Sequence, residues 1–132
     1  MILEDLAVYL EEETELDLIA TGNLFIGELP VKKVNCVSMV YVPSEPPNSA
    51  LDVFYQQIDF WSRYQNADDS YNMLKDIQTE LHQKVSWDLD NWHIYLAHSV
   101  SGIEDFGRDN ERNKLHKLTM RFIFRPIAGD FS

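Results

Sequence analysis

The sequence predicts an α/β fold of the α+β kind, a mostly antiparallel or mixed sheet of about five strands packed by two helices. Three observations support this. Forty-five per cent of the 132 residues are apolar and 12% aromatic, enough to bury a core and to exclude general disorder. Two segments repeat apolar residues at helical spacing, while five others alternate or carry β-branched and aromatic runs. The resulting order, α-β-β-β-α-β-β, has no βαβ alternation over the first three strands. The length fits one domain, residues 1–132.

Residues 2–12 predict a short amphipathic helix, with Ile2, Leu3, Leu6, Ala7 and Leu10 on one side and Glu4, Asp5, Glu11 and Glu12 on the other. The run Glu11–Glu13 opposes the helix dipole and helps end it. Gly22-Asn23 marks a turn, and Leu24 to Leu29 reads as a strand closed by Pro30. Val34 to Val42 is apolar on both faces, which suggests a strand buried on both sides or covered by another subunit. The Pro-rich stretch 43–49 reads as an exposed loop.

Residues 51–65 carry the third strand, with Phe54, Ile58 and Phe60 alternating against Tyr55, Asp59 and Trp61. Asp68 is the expected N-cap of the second helix, whose stripe runs Tyr71, Leu74, Ile77, Gln78, Leu81 and Val85. A fourth strand lies within Trp87–Val100, most clearly at Trp92–Ala97, with Asp88 and Asp90 in a turn. The polar segment 104–114 reads as a projecting loop at an interface. The last strand, Leu115–Arg125, sets Leu118, Met120, Phe122 and Phe124 against Lys117, Thr119, Arg121, Ile123 and Arg125.

Charge narrows the function classes. Twenty-two acids against 11 bases give −11, which argues against binding nucleic acid through its phosphates. Residues 1–30 hold eight acids and no base, whereas 108–125 hold six bases against Asp109 and Glu111. This split reads either as solvated faces that differ by chance or as complementary surfaces for head-to-tail contacts between copies. In the second reading the contact surface comprises Arg108, Asp109, Arg112, Lys114, Lys117, Arg121 and Arg125. No apolar stretch reaches the roughly 18 residues of a membrane span, and the acidic N-terminal residues predict no secretory signal. A single cysteine, Cys36, supports neither a disulfide nor a zinc motif, and reads as a small buried hydrophobe in a reducing cytoplasm or a particle assembled there.

Catalytic, metal and cofactor sites are not expected. His93 and His98 are five apart on a strand and should face opposite ways. His82 and His116 read as structural or surface residues. No nucleophile, phosphate-loop or dinucleotide motif occurs. The excess of aromatic residues on both strand faces means either that helices cover both faces or that one aromatic face is an oligomer interface.

The chain also resembles the bacteriophage tail terminator and tail-to-head joining proteins of long-tailed phages, often labelled minor capsid proteins. The likeness rests on ILEDLAVYL, Asn23–Pro30, Asn35–Val42, the Pro-rich loop, DFWSRYQ followed directly by Ala67–Tyr71, and Gly107-Arg108-Asp109 with Arg112. It runs over residues 2–126. The chain departs from the family at Phe60-Trp61-Ser62-Arg63, where a valine- and arginine-rich segment is usual. The resemblance implies a virion structural protein without catalytic residues, cofactor or metal. It further implies a hexameric ring at the head-proximal end of the tail, partnered by the tail tube and head connector proteins, with DNA passing through its lumen. A small cytoplasmic adaptor or assembly-chaperone module is the alternative from a different class. An enzyme is the third.

Overall fold

A computed structural model describes residues 2–12, 24–27, 35–42 and 53–127. The elements run α1 (Ile2–Glu12), β1 (Leu24–Ile26), β2 (Cys36–Val42), β3 (Phe54–Tyr64), α2 (Ala67–Leu81), β4 (Lys84–Leu89), β5 (Trp92–Ser99), β6 (Glu104–Arg108) and β7 (Lys114–Pro126). The sheet order is β1-β2-β3-β7-β5-β4, with β6 beside the first part of β7. Among the described residues only the β1–β2 pair is parallel, so the sheet is mixed as expected, with seven described strands where about five were expected.

β7 organises the sheet. Its 13 residues pair with β3 along one side and with β6 and then β5 along the other. Alternation sends His116, Leu118, Met120, Phe122 and Phe124 to one face, and all five are buried. The register sets Phe60 opposite Leu118, Ile58 opposite Met120 and Ala97 opposite Phe122. Leu74, Ile77 and Leu81 of α2 and Ile2, Leu3, Leu6 and Leu10 of α1 close over the same core. Both helices therefore serve one face of the sheet. Each large side chain fully buried there contributes about 1.5–3 kcal/mol of transfer free energy. Polar contacts fix the helix positions. Trp92 Nε1 donates to Asp5 at 2.9 Å, and the Tyr9 hydroxyl donates to Glu80 at 2.7 Å.

Helix α1 matches its predicted span and stripe. Other elements differ from the sequence reading, each for a local reason. The N-cap of α2 is Asn66, not Asp68, because the Asn66 carboxamide oxygen accepts from the N–H groups of Asp68 (2.8 Å) and Asp69 (3.2 Å). The helix ends at Leu81, so Val85 lies in β4 and is exposed, while Ser70 takes the buried position expected of Tyr71. The strand read most clearly at Trp92–Ala97 is β5, and within 87–100 the end of β4 and a turn at Asp90-Asn91 precede it. Asp90 adopts a left-handed φ of 51°, which an Asp tolerates in a tight turn. Asp88 thus belongs to β4. The segment 104–114 is not a projecting loop, since its first half is β6.

Strand β1 ends at Ile26, followed by Gly27 at φ 99°, whose N–H donates to Met39 O at 2.9 Å. Cys36 is buried in β2, and Val37 and Met39 enter the core. The expected turn at Gly22-Asn23, the strand end at Leu29-Pro30 and the loop at 43–49 lie outside the described residues.

Replacing Asn66 with Ala should lower the unfolding free energy by about 1 kcal/mol. Asp68→Ala should cost about half that or less, because only dipole compensation is lost. Urea denaturation of the two variants gives the order, and the reverse order would return the cap to Asp68.

Candidate assembly interface

The odd-numbered residues of β7 build the face of the sheet turned away from the described helices. Lys117 lies opposite Trp61 on β3 and Glu104 on β6. Its Nζ sits 5.5 Å from the Trp61 ring centre, 5.2 Å from that of Phe106, and 3.7 Å from Glu104 Oε1. Trp61 and Phe106 touch with centroids 4.9 Å apart, and Phe106 is 46% exposed. One step along, Thr119 donates to Asp59 at 2.5 Å. Arg121 then places its guanidinium 5.1 Å from the Tyr55 ring centre. Arg125 follows opposite His93. Lys117 and Arg121 thus lie on aromatic rings, an arrangement in which the ring quadrupole attracts the charge and the alkyl stem covers apolar surface.

The two strand histidines join this face, contrary to the sequence reading. A β-bulge between Ile94 and Leu96 shifts the alternation of β5 by one residue, so His93 pairs with Arg125 and His98 with Arg121. His93 Nδ1 lies 2.7 Å from Asp88 Oδ1. Among the described residues, no group of three or more His, Cys, Asp or Glu is placed to hold a metal ion.

The remaining predicted residues go elsewhere. Arg108, Asp109 and Arg112 form a tight turn between β6 and β7, with both arginines exposed. Asp109 Oδ1 accepts from the N–H groups of Asn113 and Glu111, each at 2.9 Å. Its Oδ2 meets Arg63 Nε at 3.4 Å. The hydrogen bond from Asn113, aided by that from Glu111 and by Arg63, holds the Asp109 carboxyl below the usual carboxylate range. Arg108 Nη1 donates to Arg112 O at 2.7 Å, and Arg112 sits at φ 66°. Lys114 falls on the opposite, helix-covered side of β7, where its Nζ meets Asp105 Oδ2 at 2.8 Å. That contact, together with the Gly107 N–H, lowers the Asp105 pKa. Of the seven predicted residues, then, Lys117, Arg121 and Arg125 share one face, three share a turn, and Lys114 stands apart.

One further feature was visible in the sequence as composition, and another escaped it. The outer side of the helix layer is acidic: α1 carries Glu4, Asp5 and Glu11 with no base, and α2 carries Asp68, Asp69, Asp76 and Glu80 with Lys75. A notch of about 340 Å³, lined by Asp5, Val8, Tyr9, Asp88, Leu89 and Asp90, continues this surface. Burial raises the Asp5 pKa there, opposed by its hydrogen bond from Trp92. The second feature is a buried polar fastening. His116 Nδ1 lies 2.8 Å from Ser70 Oγ, which is 2.7 Å from Ser62 Oγ and reaches Lys114 O at 3.3 Å. Ser70 is fully buried, so this Ser–His contact ties α2 to the sheet and presents no nucleophile to a substrate. Ser62 and His116 occupy apolar-side positions in their strands, a pattern that does signal a buried polar pair.

The sequence pattern of the bacteriophage tail terminator protein family matches residues 9–125. The chain belongs to this family. A comparison with curated proteins finds no match. Membership of the tail terminator family makes the chain a structural component of a phage tail that associates with other tail and head proteins, and such families are generally non-enzymatic. No described helix is long and apolar enough to cross a membrane.

Desolvation lowers the His116 pKa, outweighing the attraction of Asp105, while Lys114 adds to the lowering. A neutral histidine in the fold means stability that is fully present above the ordinary histidine pKa of about 6.5 and lost as pH falls through the folded value. Thermal melts between pH 7.5 and pH 5, on the order of two units spanning that value, should show this loss. The slope should be shallower in His116→Gln, and an equal slope would remove His116 from the account.

Proposed function

We propose that the chain acts over residues 1–132 as one tail terminator domain. Six copies form a ring at the head-proximal end of the tail, at the head–tail junction, after assembly in the host cytoplasm. The ring caps the tail tube and joins it to the head connector protein. The family match over residues 9–125 carries this reading.

Electrostatics supports it. DNA in transit must not be gripped, and a chain of net charge −11 repels a polyanion when its acidic surface lines the lumen. The outer side of α2, with Asp68, Asp69 and Asp76, is a surface of the required sign. The cationic residues Lys117 and Arg121 are already engaged with aromatic rings, which suits them to protein contacts more than to phosphates.

Electron microscopy of isolated tails, with the mass of the purified chain measured at two concentrations, tests the ring. Six copies are expected at the tail end, and three-, five- or twelve-fold copy number or a single copy would contradict the reading. Replacing exposed Arg108 and Arg112 with Ala should weaken assembly while the melting temperature moves by no more than about 4 °C, because surface changes seldom exceed about half a kcal/mol each. A fall of many degrees would assign both arginines to the fold. Labelled duplex DNA should show negligible binding at physiological salt, and tight binding that survives it would favour a nucleic-acid-binding role instead.

A further inference from the structure

We infer that the surface receiving a neighbouring copy is the β7 face that carries Lys117, Arg121 and Arg125, and that it receives the acidic outer side of α1 from that copy. The inference rests on the ring reading above and names the contact that would build the ring. Charge complementarity is the first argument. Along α1, the exposed residues Glu4 and Val8 and the half-buried Glu11 follow at spacings of four and three, so two carboxylates flank an apolar side chain on one side of the helix. On β7, cations flank the aromatic surface of Trp61, Phe106 and Tyr55. The helix is shorter than the row of cations and fits within it. An 11-residue helix is about 16 Å long. The line from Lys117 to Arg125 spans about 26 Å of strand.

Edge-to-edge pairing is also obstructed at β4 and β6. β4 forms one margin of the sheet, and there Ser86 at φ 50° interrupts the ladder between Val85 and Trp87. β6 is interrupted by Gly107 at φ 76° and a register shift between Asp105 and Arg108. Irregular margins of this kind discourage strand addition. A contact between the helix side of one copy and the sheet face of the next is heterologous, the type that generates rings when its rotation closes.

The experiment uses the full chain, alone and with tail tubes. One variant carries Arg121→Glu and Arg125→Glu, the other Glu4→Lys and Glu11→Lys. Each alone should need at least a tenfold higher concentration to assemble, and an equimolar mixture should assemble near the level of the unaltered chain, because opposite charges then alternate around an even-numbered ring. Unimpaired assembly of each variant, or a folded mixture that stays unassembled, overturns the inference. Where charge reversal prevents folding, a chain with Val8→Cys and Phe106→Cys, treated with a short bis-maleimide, replaces it. Cross-linked ladders support the contact, and their absence from assembled rings overturns it. If the unaltered chain never assembles, on tubes or off, the ring reading fails too. If it assembles regardless of these charges, only the contact fails.

Discussion

The period-two alternation of β7 is the constraint on which the rest of the structure depends. One strand hydrogen-bonds to three others, so its register sets which side chains of β3, β5 and β6 face the helices. A slip of one residue would send Leu118, Met120 and Phe122 to the charged face and Lys117 and Arg121 into the core. Desolvating those cations without partners costs several kcal/mol each. The core and the charged face are therefore specified together, by the same thirteen residues.

That coupling explains the division of labour around the sheet. The helix-covered side is closed by apolar burial and by a few polar contacts that fix orientation, among them Trp92 to Asp5, Tyr9 to Glu80 and the Ser62–Ser70–His116 group. The other side keeps its cations by laying them on rings and beside single carboxylates such as Glu104. Pairs of that exposed kind contribute about 0–1 kcal/mol each to the fold. They have more to give to an interface, where partial desolvation strengthens them.

Much of the fold was legible because its signals are periodic. Helix α1, the buried side of α2 and the alternation of β7 follow from spacing alone. The misses fall where a single residue overrides the period. Asn66 captured the cap two residues before Asp68 through a short side chain that reaches two N–H groups. The bulge at β5 turned His98 to the same face as His93, which no count of residues reveals. β6 escaped notice because its pattern is exposed and charged, and because the segment 100–103 separates it from β5 along the same side of β7. The placement of the candidate interface residues was half legible. Strand alternation grouped Lys117, Arg121 and Arg125, whereas Lys114 was included on charge alone and lies on the opposite face with Asp105. The acidity of the helix layer was visible as composition, but its placement opposite the cationic face required the fold.

The central claim is that one face of β7 builds the core while the other meets protein partners in the assembled tail. Hydroxyl-radical footprinting of the chain, free and bound to tail tubes, tests it most directly, because labelling reads side-chain exposure residue by residue. The account predicts that Phe106 and Tyr55 lose labelling on assembly while buried Phe60 and Phe122 stay unlabelled throughout. Equal labelling of Phe106 and Tyr55 in both states would contradict it.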